Sequence, residues 1–273
     1  MFQITILFLY MFAALAFALS RFPKYSGHAR TLVLAAFFMC SIALVIHGRL
    51  LYSVFIGGGG IYLSMASAIS LIGLQLGLIG LLGAIEPTLR GMSASLILLA
   101  AIASLSGVSA NSGVGVLDPD TSGLSWQLRT HIVTSMFAYG LLAVGAIIAL
   151  YALLQDRRLR SGQLSSINHL FAPMETNDRL LYAITATGLT VLALSIVSGI
   201  TFVEDLFAQH LVHKTTLSLL ALLLFGILLL GRRFAGWRGK RAVYLYLASF
   251  IVLSLAYFGS RYILEAVLGR SWG

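Results

Sequence analysis

Residues 130–154 read THIVTSMFAYGLLAVGAIIALYALL, and this stretch contains no acidic, lysine or arginine side chain. About 20 consecutive apolar residues are enough for a helix to cross a membrane. Seven further apolar segments flank it along the chain, at 2–20, 31–47, 63–85, 92–107, 181–203, 215–231 and 242–264. Strands of a membrane barrel would alternate polar and apolar residues, so all eight segments are predicted to be helices. The predicted fold is therefore all-α: a polytopic integral membrane bundle of eight transmembrane helices, in a single domain over residues 1–273.

The composition of the whole chain excludes an ordinary water-soluble protein. Of its 273 residues, 59% are hydrophobic and 10% are charged, whereas soluble domains carry about 25% charged residues. Intrinsic disorder is excluded as well, because disordered chains have low hydrophobicity. The single cysteine, Cys40, lies inside an apolar segment, so no intramolecular disulfide can form.

The basic residues are distributed unevenly over the loops, and this asymmetry orients the chain. With the N-terminus outside, thirteen of the 18 lysine and arginine residues fall in cytoplasmic loops and five fall outside. The positive-inside rule then predicts that both termini lie outside the cytoplasm. Anionic lipid headgroups account for the net charge of +9, so no nucleic-acid partner is expected. Arg21 and Lys24 follow the first apolar segment, whereas a signal peptide carries its basic residues in front, so we expect a retained span.

Four of the six histidines lie on the predicted outer half of the bundle. His47 closes the second span, His131 opens the fifth, and two more precede the seventh, namely His210 and His213. Imidazole is the commonest protein ligand for metals and a frequent ligand of haem iron. Three helices that each bring a histidine to one depth predict a ligand site near the outer leaflet. The alternative is that these side chains only meet water and headgroups at the interface, as His28 and His169 are expected to do in the cytoplasmic loops.

Basic side chains accompany the outer histidines. Each lies within a few residues of a histidine or of a span end: Arg49, Arg129, Lys214 and Arg261. A haem is a flat apolar disc with two propionates, which suits an apolar cleft with a cationic rim. The alternative is that these long side chains only snorkel to the interface.

Two further patterns concern packing and loops. Gly73, Gly77, Gly80 and Gly83 recur at spacings of three and four, which predicts close helix packing on the third span. The outer loop 108–128 is either a lid over an outer cavity or a plain connector. The inner loop 155–180 is polar and basic, and it is interpreted as a solvated connector.

Motifs of enzymatic catalysis are absent from the sequence. It contains no Walker A, GxSxG, HExxH, CxxC or CxxCH pattern. No pair of carboxylates lies within a predicted span, which argues against a proton relay. We therefore expect a protein that is not an enzyme.

Five segments in a fixed order carry a resemblance to a known family. They are LVIHGRLL at 44–51, LRTHIVTSMFAYG at 128–140, METNDRLLYAITATG at 174–188 with the Ser198-Gly199 pair after it, HKTTL at 213–217, and GWRGKR at 236–241 with YFGSR at 257–261. The chain resembles the cytochrome c assembly superfamily of haem-handling membrane proteins (CcsA, CcmC). It is most similar to the HemX/YpjD-type branch, which lacks the tryptophan-rich WWD loop. Residues 204–214, EDLFAQHLVHK, stand where that loop would fall.

The resemblance implies haem binding or haem-linked cytochrome c assembly in the bacterial inner membrane. Haem b would be the cofactor, His131 and His213 its axial ligands and His47 the alternate, while Arg49, Arg129 and Arg261 would pair with propionates. The implied partners are haem, the lipid bilayer and other cytochrome c assembly proteins. Two alternatives remain open: a transporter of a small solute or metal ion, and a structural or regulatory membrane subunit without a ligand. Only Gln75 stands out as a polar side chain in mid-span, which weakens the transporter.

Overall fold

A computed structural model describes residues 2–56, 65–106, 126–162, 166–202 and 212–259. These residues form eight α-helices: α1 Phe2–Leu19, α2 Ala29–Ile56, α3 Met65–Gly83, α4 Arg90–Ser104, α5 Trp126–Arg160, α6 Met174–Phe202, α7 Val212–Ala235 and α8 Lys240–Ser254. Within the described ranges no β-strand occurs. All eight helical segments are long and apolar enough to cross a membrane. The prediction of an all-α membrane bundle with eight spans is confirmed.

Several helices extend beyond the apolar segments that predicted them. Helix α2 continues to Ile56, so His47 lies inside the helix and not at its end, while the end of the membrane span at His47 stays a prediction. Between His47 and Ile56, Gly48 is the only residue that strongly disfavours a helix, at a cost of about 1 kcal/mol. Four consecutive glycines follow at 57–60, directly after the helix ends. Helix α6 begins at Met174, directly after a proline, and not at residue 181. Helix α6 thus includes a polar flank that hydropathy does not mark, whereas α2 continues through residues 48–56, GRLLYSVFI, in which Arg49 is the only charged residue.

The chain forms two compact units. Unit 1 consists of Met1–Gly115 and Leu154–Asn177, and unit 2 consists of Val116–Leu153 and Asp178–Gly273. Helices α1 to α4 thus belong to unit 1, while most of α5 and α6, with all of α7 and α8, belong to unit 2. The interpretation of residues 1–273 as a single domain stays a prediction.

In unit 1, α3 and α4 pack closely through the glycine stripe of α3. A Cβ atom at Gly73 would lie 2.6 Å from the Cβ of Ala103, and one at Gly80 would lie 2.8 Å from Cγ1 of Ile97. The lack of side chains at these positions lets the two backbones approach, as small residues do in membrane bundles. The predicted packing role of the stripe is confirmed.

The connection between α5 and α6 is part of unit 1 and is held by hydrogen bonds of buried side chains. Gln155 Nε2 donates to the carbonyl of Ala172 over 2.9 Å, and Asn177 Nδ2 donates to Oε1 of Gln155 over 2.8 Å. Both amide side chains are buried. Arg21 Nε also donates to the carbonyl of His169 over 3.0 Å. The interpretation of 155–180 as a solvated connector is wrong for Gln155 and Asn177, because both side chains are buried and hydrogen-bonded within the protein. Most of the predicted outer loop, 107–125, lies outside the described residues.

In unit 2, the motif GWRGKR forms the turn between α7 and α8. Gly236 and Gly239 have φ angles of 63° and 62°, a conformation that glycine adopts without strain. The indole of Trp237 packs directly on Gly231, and Arg241 lies over that indole, 4.2 Å from its centroid. Turn geometry and stacking therefore explain why glycine, tryptophan and arginine stand at these positions of the motif.

Candidate ligand site around His131

The imidazole of His131 lies on α5 and points at α6. Its Nδ1 atom is 3.0 Å from the carbonyl oxygen of Ser195 and 3.0 Å from Oγ of Ser198. A carbonyl oxygen only accepts hydrogen bonds, so Nδ1 carries the proton and donates it. The hydroxyl of Ser198 donates to the same carbonyl over 2.7 Å, and its oxygen remains able to accept from the ring. In the neutral imidazole the lone pair therefore resides on Nε2.

The Nε2 atom of His131 makes no hydrogen bond within the described ranges, and the ring is half-buried. Histidines that ligate metals usually donate the other ring N–H to a backbone carbonyl or carboxylate, which fixes the tautomer and the ring orientation. The Ser195 carbonyl plays this part for His131. The ring is thus held ready to bind through Nε2.

Gly199 also packs against the imidazole ring of His131. A Cβ atom at position 199 would lie 2.9 Å from Cε1 of His131, closer than side-chain carbons approach one another. Only glycine therefore lets α6 pass the imidazole at this distance. The Ser198-Gly199 pair, which was noted in the sequence only as part of a resemblance, contacts the histidine through both of its residues.

A cavity of about 160 Å³ adjoins His131 in unit 2. Helices α5, α6, α7 and α8 all contribute to its wall. Its apolar side includes Leu192, Ile196 and Leu253, and its polar side includes Ser135, Tyr139, Ser195, Lys214, Thr215 and Ser218. The cavity combines one imidazole, one cation and several hydroxyls with an aliphatic wall, an arrangement typical of sites for apolar ligands that carry a few polar groups.

Lys214 supplies the cation of this cavity. It is the third residue of α7, and its Nζ atom lies 5.4 Å from the ring centroid of Tyr257. Tyr257 belongs to a π-helical turn, Leu255–Gly259, that continues α8 and contains most of the YFGSR motif. Single π-turns occur frequently at functional sites. In the sequence, Lys214 is one of several outer basic residues and nothing sets it apart from Arg49, Arg129 and Arg261, which were expected to pair with the propionates.

An aromatic cluster closes the side of the cavity next to α8. The hydroxyl of Tyr139 lies 2.9 Å from Oγ of Ser254, which itself donates to the carbonyl of Phe250. The ring of Tyr139 packs on Phe250, Tyr257 and Phe258, at centroid distances of 5.3, 5.9 and 5.4 Å. These contacts fix the position of Tyr139 on the cavity wall.

His47 occupies a different environment, in unit 1. Its Nδ1 atom lies 3.4 Å from the hydroxyl of Tyr10 and its Nε2 atom lies 2.9 Å from Oγ of Ser70. The side chain is 1% exposed. Both ring nitrogens are thus engaged in a buried network between α1, α2 and α3. Arg49, two residues later, is exposed.

The remaining predicted site residues are described only in part or not at all. His213 is the second residue of α7 and Arg129 lies in the first turn of α5, but both side chains lie outside the described residues. Arg261 and His210 fall wholly outside the described ranges. His28 and His169 are exposed, as expected for loop histidines. Of the predicted site residues whose side chains are described, His131 lines this cavity, and the cation beside it is Lys214, the direct neighbour of His213.

The residues around His131 provide the chemical groups that a haem requires. An imidazole with Nε2 available, an aliphatic and aromatic wall, and one cation for a carboxylate are the groups that such a ligand requires. Pockets that enclose a drug-sized molecule have about 300–1,000 Å³, so a porphyrin would extend beyond the described cavity. Within the described residues no cluster of three or more His, Cys, Asp or Glu side chains is placed to hold a free metal ion.

The eight long apolar helices define an all-α, multi-pass membrane protein. The family described as "Cytochrome C assembly protein" matches residues 3–268, and the chain belongs to this family. The match covers both units and all of the residues discussed above.

Individual relatives match about half of the chain. The inner membrane protein YpjD of Escherichia coli K12 is 32% identical over 140 residues, which are 51% of this chain and 53% of YpjD. The cytochrome c biogenesis protein CcsA of Guillardia theta is 24% identical over 162 residues, 53% of this chain and 54% of CcsA. The CcsA protein of Parasynechococcus marenigrum is 28% identical over 160 residues, 50% of this chain and 52% of CcsA. The chain thus spans about half the length of the curated relatives it matches. No solved structure matches it.

Proposed function

We propose that this protein is a multi-pass protein of the bacterial inner membrane that binds haem b and takes part in cytochrome c assembly. His131 supplies one axial ligand to the iron through Nε2, near the outer leaflet. The observation that supports the proposal is the hydrogen bond from Nδ1 of His131 to the Ser195 carbonyl, which leaves the lone pair of Nε2 available for a ligand. The haem iron supplies the redox and ligand-exchange chemistry when it is bound, and the protein binds and orients it without acting as an enzyme.

The family and its named members support the assignment to cytochrome c assembly. The family is described by that process, and the relatives from Guillardia theta and Parasynechococcus are named for cytochrome c biogenesis. The relative YpjD is named as an inner membrane protein. Other cytochrome c assembly proteins are proposed as partners on the same grounds.

His213 is proposed as the second axial ligand. It directly precedes Lys214 on α7, and Lys214 lines the same cavity as His131. His47 remains the alternate, although its two ring nitrogens are already engaged with Tyr10 and Ser70. An iron bond to His47 would first have to break one of these contacts in a buried position, which the His131 site does not require.

Absorption spectroscopy of the protein purified from haem-replete cells tests the proposal. The wild-type protein is expected to show the Soret band of six-coordinate, bis-histidine haem. His131→Ala should lose most of the bound haem, whereas His28→Ala and His169→Ala should retain it, because those two side chains are exposed and do not line the cavity of His131. A colourless protein that also ignores added haem, or equal retention in all three variants, would overturn the proposal.

The second ligand has its own test. His213→Ala should convert the spectrum from six-coordinate to five-coordinate, and added imidazole should restore it. His210→Ala, three residues earlier, should leave the spectrum unchanged. If His47→Ala gives the larger change, His213 is the wrong partner of His131.

A further inference from the structure

The surface of unit 2 carries an apolar groove between α6 and α7. Its volume is about 530 Å³, and eight residues line it: Leu189, Ala193, Leu219, Leu222, Leu223, Gly226, Ile227 and Leu230. All eight are apolar. At the middle of the α7 side, a Cβ atom on Gly226 would meet no other atom within 4 Å. The groove therefore has room for a chain-like apolar ligand along its floor.

The dimensions of the groove suit one extended hydrocarbon chain. Its α7 wall extends from Leu219 to Leu230, which is about 16 Å along a helix at 1.5 Å per residue. Leu223 and Leu230 are both more than half exposed in the chain as it stands. In a membrane, this stretch of wall lies among acyl chains.

An ion pair fixes the end of the groove at which α6 begins and α7 ends. Arg232 Nη2 lies 2.9 Å from Oδ2 of Asp178, and Arg232 Nη1 donates to the Asp178 carbonyl over 3.0 Å. The guanidinium also stacks on the ring of Tyr182, 4.6 Å from its centroid. These contacts hold the two antiparallel helices together at this end and set their register.

A second arginine stands at this end without an acidic partner. Arg233 follows Gly226 by seven residues, so it lies on the same face of α7 as the groove. Its side chain is exposed, and within the described residues no ion pair to it occurs. A positive charge at the end of an apolar groove of this length is complementary to a phosphodiester attached to an acyl chain.

We propose that the α6–α7 groove is a binding site for an anionic phospholipid. One acyl chain lies along Leu219–Leu230, and the headgroup phosphate pairs with Arg233. This site is separate from the His131 cavity and does not depend on haem binding.

The lining residues favour a lipid over a partner helix. Helix interfaces in membranes are enriched in small residues that bring backbones together. In this groove five of the six α7 positions are Leu or Ile, and Gly226 alone is small. A partner helix would also cover Arg233 or have to provide an acid for it, whereas a phospholipid brings its own anion to that position.

The test compares lipids that share acyl chains but differ in charge. The purified full-length protein is depleted of lipid in detergent and then given dioleoyl phosphatidylglycerol, dioleoyl phosphatidylcholine or inorganic phosphate. Bound lipid is counted by native mass spectrometry, and the apparent Tm is measured in parallel. Phosphatidylglycerol is expected to remain bound and to raise the Tm, phosphatidylcholine to do so less, and phosphate alone to have no effect.

Two variants with matched controls locate the site. Gly226→Leu fills the floor of the groove and should abolish lipid retention, whereas Gly48→Leu, at another helical glycine with no atom nearby, should keep it. Arg233→Gln should weaken phosphatidylglycerol binding about fivefold, the effect expected for one basic residue near an anionic headgroup. Arg157→Gln removes an exposed charge outside the groove and should leave binding unchanged. Arg233→Gln alters only an exposed side chain, so it tests the site even where Gly226→Leu does not fold.

Three results would overturn the proposal. The first is equal retention of phosphatidylglycerol by wild type, Gly226→Leu and Arg233→Gln. The second is stabilisation by inorganic phosphate alone, which would make Arg233 a site for a free anion. The third is a change in oligomeric state of Gly226→Leu with lipid binding unaltered, which would make the groove an interface between protein chains.

Discussion

Nδ1 of His131 donates a hydrogen bond to the backbone carbonyl of Ser195, 64 residues later in the chain, over 3.0 Å. This contact joins the second turn of α5 to the last part of α6 inside unit 2. It fixes both the tautomer and the direction of the imidazole, because a carbonyl can only accept. A histidine at a membrane boundary is unremarkable by itself, but one held in this way beside a cavity is prepared for a ligand.

Gly199→Ala is expected to weaken haem binding at least tenfold while helix α6 remains intact. The new Cβ would lie 2.9 Å from Cε1 of His131, so the ring must rotate away from the Ser195 carbonyl or the helices must separate. Alanine is the better helix former by about 1 kcal/mol, so a loss cannot come from helix propensity. The Soret absorbance per mole of purified protein measures the effect. Gly226→Ala, which has open space around it, is the control, and an unchanged spectrum in Gly199→Ala would contradict the geometry.

Lys214→Gln is expected to weaken the binding of haem b about tenfold. Lys214 lines the same cavity as His131, and a hydrogen bond to a charged group contributes about 1.5–3 kcal/mol. The affinity for haem dimethyl ester, which has no free carboxylate, should differ little between the variant and the wild type. Lys214→Arg should keep most of the affinity for haem b. Titration of the two haems, followed by absorption, measures both constants, and an equal loss for both haems would show that Lys214 does not recognise a carboxylate.

The predicted orientation can be tested with single cysteines, because the native Cys40 is fully buried. Ser53→Cys lies at the exposed end of α2, on the predicted outer side, and Phe234→Cys lies at the end of α7, on the predicted inner side. Phe234 is 82% exposed, so its replacement should not disturb the fold. A membrane-impermeant maleimide should label the first variant in intact cells and the second only after the membrane is opened. The reverse labelling would place the termini inside and invalidate the assignment of the histidines to the outer leaflet.

Sequence patterns predicted the fold well because membrane insertion depends on local composition. Each apolar segment such as 130–154 must become a helix in lipid, where no other partner satisfies its backbone. Helix ends were predicted less well: α6 begins with polar turns that hydropathy does not register, and α2 passes Gly48 and Arg49 to continue through LLYSVFI at 50–56. The glycine stripe of α3 was recognised because its spacing is a property of one helix.

The candidate site was predicted only in part. His131 stood out through its residue type and its place at the start of a span. The role of Gly199, and the choice of Lys214 over other basic residues as the cation of the cavity, depend on how α5, α6 and α7 are placed beside one another. His47 was the alternate ligand to His131 and His213, and in the structure both of its ring nitrogens are engaged, whereas Nε2 of His131 makes no hydrogen bond within the described residues.

The sequence by itself determined that this protein crosses the membrane as eight helices, and it singled out a small set of histidines and basic residues. These properties follow from the transfer of local segments into lipid, which requires no knowledge of neighbouring helices. Only the tertiary structure decided that Ser195, Ser198 and Gly199 hold the ring of His131 in place. It also decided that Leu219–Leu230 borders a groove that ends at Arg233. The reason is physical: hydrogen bonds and cavities between helices depend on their rotation and register, and these are set by packing between segments distant in the chain.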